Sequence, residues 1–543
     1  MTPRVFAYDT TLRDGTQGEG FALSVTEKIR VAHLLDELGI AYIEGGWPGS
    51  NPRDVAFFAA AAQERFQFAR MTAFGSTRRA GISCDHDANL AALVAAEVPV
   101  VTIFGKSWRF QATDVLGISA EENLELIHDS VRWLSARVDE VIFDAEHFFD
   151  GAADDEAYAM ASLEAAASAG AKFVVLCDTN GGSLPTQVGG LVERVLAKVG
   201  CPVGIHAHND GEVAVANSLE AVRRGATMVQ GTINGYGERC GNANLVSILP
   251  NLELKMGFHV VGAERISRLT HVSRMVDELS NNVPLARQAF VGQSAFAHKG
   301  GVHVHAVMKD ARAYEHIEPT LVGNGRRVLM SDLSGRSNVV YKAREFGYEL
   351  NPSDPATRTV LERIKQMENA GYAFEDAEAS MKLLLAEAHG HRPHYFTIEE
   401  ADVTTSLLAD ARRHDVDESH RTRAIMRVQI GDESVPMVQY GNGPVDALGR
   451  ALEAVVVRAW PVVHEVRLVD YKVRIMDSGD GIGATVRVLI RASDGKQTWT
   501  TVGVSSNVIE ASWRALVDLY EYKLMEEGIP GVASSTHGAV FSA

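Results

Sequence analysis

The sequence has 543 residues, which corresponds to about three to four domains, or to one barrel of about 250 residues with smaller domains beside it. Hydrophobic residues make up 46% and charged residues 22% of the chain, and this ordinary globular composition excludes intrinsic disorder, collagen-like repeats and coiled-coil rods as the main architecture. The 70 acidic residues exceed the 52 basic ones, and the net charge of −18 argues against a nucleic acid or an anionic membrane surface as the main partner.

The chain carries no pattern of an exported, membrane-bound or disulfide-bonded protein. Residues 1–15 lack the basic and long apolar regions of a signal peptide, and no later stretch approaches about 18 uninterrupted apolar residues. The cysteines, at positions 84, 177, 201 and 240, form no CxxC pattern. We therefore expect a cytoplasmic protein with free thiols and no membrane partner.

Residues 4–235 alternate, with a period of about 30 residues, between short apolar runs and Ala/Leu-rich helical stretches. The apolar runs lie at 5–8, 41–46, 68–75, 98–105, 138–148, 172–182, 202–210 and 226–239. The helical stretches at 155–170 and 213–225 end on the glycine that is typical of a helix C-terminus. Eight strand-then-helix units predict an α/β fold, a (β/α)₈ TIM barrel. The alternative, an open doubly wound sheet, usually carries a Gly-rich phosphate fingerprint after its first strand, whereas this chain has Thr-Thr-Leu-Arg-Asp-Gly there.

Beyond the barrel the regular alternation of apolar runs and helical stretches ends. We predict a TIM-barrel catalytic domain at 1–265, helical accessory subdomains at 266–385, a linker at 386–420 and a C-terminal α+β regulatory domain at 421–543. In the last region short β-like runs alternate with two helices whose entrances, 441–452 and 505–516, resemble each other and both end in Arg-Ala-Leu. This similarity favours an internal duplication of a β-rich unit with one helix, although such short stretches can also agree by chance.

The sharpest local signal for chemistry is Ile-His-Ala-His-Asn-Asp at 205–210. Residues i and i+2 at the end of a strand point to the same side, so we expect His206 and His208 to face the C-terminal mouth, where TIM-barrel enzymes have their active sites. Asp14, Glu146 and Asn242 follow or end the first, fifth and eighth predicted strands. Two imidazoles with an aspartate and an amide oxygen form a mixed N/O ligand set that suits Mg²⁺, Mn²⁺ or Zn²⁺ in a catalytic site.

Three separated motifs resemble the DRE-TIM metallolyase superfamily: Asp9-Thr-Thr-Leu-Arg13-Asp14-Gly, His206-Ala-His208-Asn-Asp and Gly-Glu-Arg-Cys-Gly-Asn242-Ala. The C-terminal stretches Gly-Asn-Gly-Pro-Val-Asp-Ala-Leu and Gly-Val-Ser-Ser-Asn-Val-Ile-Glu-Ala-Ser narrow the resemblance to the 2-isopropylmalate synthase and citramalate synthase group, over essentially the whole chain. The resemblance implies an acyltransferase with acetyl-CoA as cosubstrate. It implies a metal-dependent Claisen condensation of acetyl-CoA with a 2-oxo acid, followed by hydrolysis of the CoA thioester.

The resemblance also implies roles at the barrel mouth. Asp14, His206 and His208 would be metal ligands, and Asn242 would supply a further ligand or an outer contact. Arg13 would stabilise the enolate or oxyanion that develops, and the alternative is a salt bridge at the barrel rim.

Two further residues match family positions that contact the substrates. Glu146 matches the carboxylate assigned to proton transfer near the acetyl methyl group, and apolar neighbours such as Phe143 and Phe148 would suit that task; a solvated acid at the end of a strand is the alternative. Thr179 matches the threonine that binds the carboxylate of the 2-oxo acid, and the alternative is a helix cap.

In the accessory region, His303 and Tyr314 match a family pair that reaches over the active site of the partner subunit, which implies a homodimer. His298 and His305 lie nearby and are more simply explained as satisfied surface histidines. Position 305 departs from the acidic residue that is common in relatives.

Among the acceptors we favour pyruvate, which would give (R)-citramalate on an isoleucine-forming route. The stretches Glu-Gly-Gly-Trp-Pro-Gly-Ser-Asn-Pro and Asp-Ala-Glu-His-Phe-Phe-Asp-Gly resemble one branch of citramalate synthases. Phe74 and Phe104 end the third and fourth predicted strands, where their rings would either shorten the acceptor pocket for a methyl substituent or belong to the core. The alternative acceptor is 3-methyl-2-oxobutanoate, the substrate of 2-isopropylmalate synthases.

The C-terminal domain is expected to bind an amino-acid effector, isoleucine for the pyruvate enzyme and leucine for the alternative, unless it serves dimerisation alone. A catalytically inactive amino-acid sensor is a further alternative. Such a protein would be free to lose at least one residue of the set Arg13, Asp14, Glu146, His206 and His208, and this chain retains all of them.

Overall fold

In the computed structural model, which describes residues 3–406, 422–476 and 484–532, the chain folds into two units. The first unit comprises residues 3–296 and 317–326, and the second comprises the remaining described residues. Within these ranges no helix combines the length and the apolar character that a membrane span requires.

The first unit is built on a closed barrel of eight parallel strands that follow one another in chain order. The strands are Phe6–Asp9 (β1), Tyr42–Gly46 (β2), Arg70–Ser76 (β3), Val100–Lys106 (β4), Glu140–Glu146 (β5), Phe173–Asp178 (β6), Val203–Ala207 (β7) and Met228–Gly231 (β8). β8 pairs with β1 and closes the barrel, with Gln230 opposite Tyr8. The predicted α/β TIM-barrel fold is confirmed.

Helices follow the strands and cover the barrel. They are Val25–Leu38 (α1), Pro52–Ala61 (α2), Ala88–Ala95 (α3), Ala120–Ser135 (α4), Phe148–Ser168 (α5), Pro185–Lys198 (α6), Ala214–Arg223 (α7), Leu245–Pro250 (α8), Ala263–Ile266 (α9) and Leu269–Leu279 (α10). Ser24 and Glu27 form a capping box at the start of α1. Gly170 and Gly225 follow the ends of α5 and α7 with φ angles of 107° and 112°, as the predicted helix ends require.

The strands alternate between two environments, and this alternation brings polar groups to the mouth. On β5, Phe143 points outward into the core between strands and helices, whereas Ile142 points inward into the core of the barrel. Asp144 and Glu146 continue the inward series toward the C-terminal end of the same strand. α10, which we expected in the accessory region, packs into the outer core.

The second unit begins with short strands and a group of helices. These are Ala297–His298 (β9), Gly301–Lys309 (α11), Arg327–Val328 (β10), Arg336–Glu345 (α12), Pro355–Asn369 (α13) and Glu378–Ala388 (α14). β9 and β10 pair in parallel, and α12, α13 and α14 share a small apolar core. This part of the chain is mostly helical, in line with the accessory region predicted here, and the domain boundaries themselves stay predictions.

The C-terminal part of the second unit contains two smaller βββα units, each made of three antiparallel strands and one helix. The first consists of Thr397–Thr405 (β11), Thr422–Ile430 (β12), Glu433–Gly441 (β13) and Pro444–Ala459 (α15), and the second of Arg467–Ile475 (β14), Val486–Ser493 (β15), Thr498–Ser505 (β16) and Val508–Glu526 (α16). β11 and β14 both shift register after their second residue. Both helices carry an acid–arginine pair four residues apart, Asp446–Arg450 and Glu510–Arg514. This repeated geometry supports the duplication.

β11 lies inside the segment that we expected to be a linker. Its residues are mostly exposed and acidic or threonine-rich, so the alternation that marks a half-buried strand is missing. Its pairing with β12 makes it a strand. Residues 407–420 of the expected linker lie outside the described residues, as do 421, 477–483 and 533–543 of the C-terminal region.

Candidate active site

The predicted residues of the barrel mouth meet around one cavity of about 220 Å³. Its lining includes the predicted Arg13, Asp14, Phe74, Phe104, Glu146, Thr179, His206 and His208, and in addition Gln17, Trp47, Asp144, Cys177, Glu238 and Arg239. Asn242 is buried beside this group and forms an isolated bridge with His208. The predicted metal ligands and the predicted barrel-side catalytic residues therefore occupy one site.

Asp14, His206 and His208 are the one group of three buried ligand-type side chains found in the described residues, and their ligand atoms all lie within 4.8 Å of one another. His206 Nε2 lies 3.4 Å from Asp14 Oδ2 and 3.4 Å from His208 Nε2. Two imidazole lone pairs that face each other at this distance repel unless a cation or a proton lies between them.

The protonation states suit metal binding. Burial, followed by the neighbouring His206, lowers the pKa of His208 to about 4, so this ring is neutral at physiological pH. Burial opposes ionisation of Asp14, but the Arg13 guanidinium and the two imidazoles hold its pKa below the usual value. Asn242 Oδ1 is buried without a hydrogen-bond partner among the described residues, as expected of an oxygen available to an ion. The residues present fit a divalent metal.

His206 is held from its other side. Its Nδ1 lies 2.9 Å from Gln230 Oε1, and Gln230 Nε2 donates a hydrogen bond of 2.9 Å to Asp144 Oδ1. Gln230 is fully buried and Asp144 is 4% exposed. The motifs of the sequence did not point to either residue.

The turn that carries Arg13 and Asp14 is fixed by Asp9 at the end of β1. The Asp9 carboxylate accepts hydrogen bonds of 2.9 Å from both the amide and the hydroxyl of Thr11. The Thr11 hydroxyl in turn accepts from the backbone amide of Ile233, next to β8. This chain of bonds ties the first turn to the last strand of the barrel.

Arg13 is fixed by a buried carboxylate that we did not predict. Its Nε donates a hydrogen bond of 2.6 Å to Glu44 Oε1, and Glu44 has no exposed surface. Tyr8 Oη lies 2.6 Å from the other oxygen of Glu44 and 2.8 Å from the Thr102 hydroxyl. Arg13 thus makes a salt bridge, but inside the barrel rather than at its rim, and its remaining guanidinium groups face the cavity.

An aromatic wall lines part of the cavity. The rings of Phe74 and Phe104 stack with centroids 5.5 Å apart, and Trp47 meets both rings edge-on. The Trp47 indole nitrogen donates to Asn89, which fixes the ring. Phe74 and Phe104 therefore line the pocket rather than only the core, as the pyruvate prediction requires.

Glu146 is paired with Lys106, the last residue of β4. We expected Phe143 and Phe148 as apolar neighbours of this carboxylate, and that expectation is wrong. Both rings belong to the core between strands and helices, because β5 turns Phe143 to the face opposite Glu146. The neighbour of the Glu146 carboxylate at the cavity is therefore a cation rather than an aromatic ring.

Thr179 lies at the cavity and caps no helix, because α6 begins six residues later with Leu184 as its N-cap. Its hydroxyl oxygen accepts a hydrogen bond of 2.9 Å from the backbone amide of His147. His147 has a left-handed backbone, with φ of 58°, directly after Glu146. Because the Thr179 oxygen is an acceptor here, its hydroxyl proton is available to a ligand.

The predicted residues of the accessory region belong to the second unit. His303 and Tyr314 stack on each other with ring centroids 4.1 Å apart, and both side chains are exposed. His298 is not a surface residue: it is 8% exposed and lies 3.0 Å from Glu315. His305 is exposed and lies 3.2 Å from the Ser337 hydroxyl.

Three family models match successive parts of this chain. The HMGL-like model matches residues 4–276, the homocitrate synthase post-HMGL domain-like model matches 290–371, and the LeuA allosteric (dimerisation) domain model matches 375–524. An (R)-citramalate synthase of Geobacter sulfurreducens is 51% identical over 517 residues, which cover 95% of this chain and 97% of that protein. The chain belongs to the HMGL-like family, in its citramalate synthase group.

Other relatives agree with this grouping. The (R)-citramalate synthase of Aquifex aeolicus is 50% identical over 98% of this chain and 100% of its own length. A 2-isopropylmalate synthase of Pelotomaculum thermopropionicum is 29% identical over 95% of this chain and 98% of its own length. The resemblance to the citramalate synthase group is confirmed.

Proposed function

We propose that this chain is an (R)-citramalate synthase, which condenses acetyl-CoA with pyruvate and then hydrolyses the CoA thioester. The observation that carries the proposal is the identity of about one half, over almost the full length, with relatives of that name. The aromatic wall of Phe74, Phe104 and Trp47 supports the small acceptor, because bulky rings leave room for a methyl group rather than an isopropyl group.

Asp14, His206 and His208, with Asn242 as a further oxygen donor, would hold the divalent ion, which is Mg²⁺, Mn²⁺ or Zn²⁺ by its ligand set. Such an ion supplies Lewis-acid polarisation of the acceptor's keto group. The neutral state of His208 and the ionised state of Asp14 support this role.

Arg13 and Thr179 would bind and orient the acceptor. The Glu44 carboxylate holds Arg13 through Nε, and Arg13 Nη1 lies 3.4 Å from Gln17 Oε1 and 3.6 Å from Asp14 Oδ1. The guanidinium group is thus positioned at the cavity, where it would stabilise the oxyanion that forms on the keto oxygen. The Thr179 hydroxyl proton would be donated to the carboxylate of the 2-oxo acid, since its oxygen is already an acceptor.

Glu146 would take a proton from the acetyl methyl group. The ion pair with Lys106 holds this carboxylate at the cavity, within reach of a bound acetyl group. The carbon then forms its bond to the keto carbon of pyruvate, and water later cleaves the thioester and releases CoA. The hydrolysis makes the overall reaction irreversible.

His303 and Tyr314 would complete the site of a second copy of this chain in a homodimer. Their stacked arrangement and their exposure in one chain support this assignment, because a pair that serves a partner must be presented at the surface. The match to the LeuA allosteric (dimerisation) domain supports dimerisation and regulation by a small molecule. We propose isoleucine as that molecule, bound where the two βββα units lie, and a cytoplasmic enzyme.

The test is CoA release by the purified protein with acetyl-CoA and Mg²⁺ or Mn²⁺. Pyruvate, 2-oxobutanoate, 3-methyl-2-oxobutanoate and 2-oxoglutarate are compared, each with and without isoleucine or leucine. We expect a clear preference for pyruvate, inhibition by isoleucine, and loss of activity in Glu146→Ala and His206→Ala.

Other outcomes would redirect the assignment. A preference for 3-methyl-2-oxobutanoate would make the protein a 2-isopropylmalate synthase and contradict the argument from the aromatic wall. No CoA release with any acceptor, together with isoleucine binding, would favour a sensor that has lost catalysis. Arg194→Ala, a variant of an exposed residue on α6, serves as the control that should retain full activity.

A further inference from the structure

The ring nitrogen of His206 that faces away from the metal group is held by two buried side chains on different strands. Gln230 comes from β8 and Asp144 from β5, and both hydrogen bonds of the chain are 2.9 Å long. Because neither side chain has more than 4% of its surface exposed, solvent does not compete for these bonds. A buried chain of hydrogen bonds therefore connects His206, one of the proposed metal ligands, to Gln230 and Asp144.

A glutamine side chain can turn either its oxygen or its amide nitrogen toward a neighbouring histidine, and the choice determines the histidine tautomer. Asp144 Oδ1 accepts a hydrogen from Gln230 Nε2, so the carboxamide oxygen is turned toward His206. His206 then carries its proton on Nδ1. Its Nε2 lone pair is left directed at Asp14 and His208.

We propose that Gln230, anchored by Asp144, is a positioning residue that holds His206 in the tautomer and orientation needed to bind a divalent ion through Nε2. The inference rests on the metal site proposed above and extends it outward by two residues. Histidine ligands usually donate their second N–H to an acceptor, and loss of such a partner lowers metal affinity by about 10–100-fold.

The other imidazole of the site has no comparable support. His208 Nδ1 is buried without a hydrogen-bond partner among the described residues. Of the two rings, His206 is therefore the one whose geometry is fixed before an ion arrives, and Gln230 is the residue that fixes it.

The test is the affinity of the chelator-treated, full-length protein for Mn²⁺, measured by isothermal titration calorimetry. Gln230→Leu keeps most of the volume and removes the acceptor, and we expect its Mn²⁺ affinity to fall by about 10–100-fold. The double variant Gln230→Glu with Asp144→Asn places the carboxylate at position 230 and the amide at position 144. The new carboxylate then accepts hydrogen bonds from both His206 and the new amide. The Mn²⁺ affinity of the double variant should stay well above that of Gln230→Leu and close to that of the unmodified protein, because an acceptor for His206 is kept.

Asn217→Leu is the matched control, because Asn217 is a fully buried amide on α7 that bonds only to the Ser183 carbonyl among the described groups. Its loss should leave Mn²⁺ affinity unchanged. Thermal unfolding of the metal-free variants checks folding, and Gln230→Met replaces Gln230→Leu if the latter does not fold.

Equal Mn²⁺ affinity of the unmodified protein and Gln230→Leu would overturn the inference. An equally low Mn²⁺ affinity of Gln230→Leu and the double variant would also overturn it. His206 would then depend on the packing of the native side chains rather than on a hydrogen-bond acceptor. Failure of the unmodified protein to bind Mn²⁺, Mg²⁺ or Zn²⁺ would instead remove the proposed metal site itself.

Discussion

The guanidinium carbon of Arg13 lies 3.8 Å from the centroid of the Phe74 ring. The residue proposed to stabilise the oxyanion and a residue proposed to limit the acceptor are therefore in direct contact. Phe74 also stacks with Phe104, which has no such contact with Arg13 among the described interactions. Acceptor size and oxyanion stabilisation are coupled through one aromatic ring.

This coupling predicts different effects for substitutions of the two rings, because Phe74 contacts Arg13 at 3.8 Å whereas Phe104 lies 5.4 Å from Lys106 Nζ. Phe74→Leu and Phe104→Leu both widen the pocket, so each should raise kcat/KM for 3-methyl-2-oxobutanoate relative to pyruvate by about 10-fold or more. Phe74→Leu also removes a cation–π contact of about 0.5–2 kcal/mol. Its kcat with pyruvate should fall further than that of Phe104→Leu, as steady-state kinetics of both variants will report. Equal losses of kcat would mean that Phe74 does not hold Arg13.

Glu44→Gln should impair both stability and catalysis. The variant leaves the buried Arg13 without its main counter-ion, and we expect a loss of about 3 kcal/mol in the free energy of unfolding. The shifted guanidinium should lower kcat by about 100-fold. Tyr8→Phe is the control: it removes the hydroxyl that contacts both Glu44 and Thr102, costs about 1–3 kcal/mol and leaves kcat within a few-fold, because Arg13 keeps its counter-ion. Thermal unfolding and kcat are measured for both, and a Tyr8→Phe enzyme as slow as Glu44→Gln would contradict the assignment.

The amino-acid sequence predicts the barrel and much of its mouth for identifiable reasons. Residues i and i+2 of a strand point to the same side, so His206 and His208 lie together. Asp14 lies beside them because the C-terminal ends of all barrel strands meet at one mouth. The motifs of the sequence did not point to Glu44 and Lys106, although the same i, i+2 alternation on β2 and β4 predicts that both side chains point into the barrel. Their importance depends on which buried charge faces which, and that follows from barrel closure rather than from any local motif.

Outside the barrel the limits of prediction are different. β11 has no apolar alternation, so only its partner strand makes it a strand. His298 was expected at the surface because a single histidine among small residues carries no burial signal. Its partner Glu315 lies seventeen residues away, beyond any periodic pattern.

Asp518 on α16 should give the protein a measurable pH dependence of stability. Burial raises the pKa of this carboxyl from 3.8 to about 6, against the opposing effect of Arg392. Between these pH values the folded chain binds a proton that the unfolded chain has released. The contribution of Asp518 to the free energy of unfolding therefore falls by about 2 kcal/mol as the pH rises from 4 to 6.

The measurement compares thermal unfolding of Asp518→Asn with that of the unmodified protein at pH 4.5 and pH 7. Because asparagine does not titrate, the stability of the variant relative to the unmodified protein should increase toward pH 7. Asp310→Asn, at an exposed carboxyl whose pKa Arg312 lowers to about 2, should not share this gain. A stability difference for Asp518→Asn that is the same at both pH values would contradict the prediction.

His303 and Tyr314 should act on the active site of the partner subunit, and mixed dimers test this directly. A Glu146→Ala chain and a His303→Ala chain are each expected to be inactive as homodimers. If the pair acts across the dimer, mixing with subunit exchange creates dimers in which one site combines an intact Glu146 with an intact His303. Half of the dimers are then mixed and each has one working site of two, so activity should return to about a quarter of the unmodified level.

If His303 serves its own chain, every site retains one defect and mixing restores no activity. A mixture of Glu146→Ala with a second Glu146 variant, such as Glu146→Gln, is the control that should stay inactive in either case.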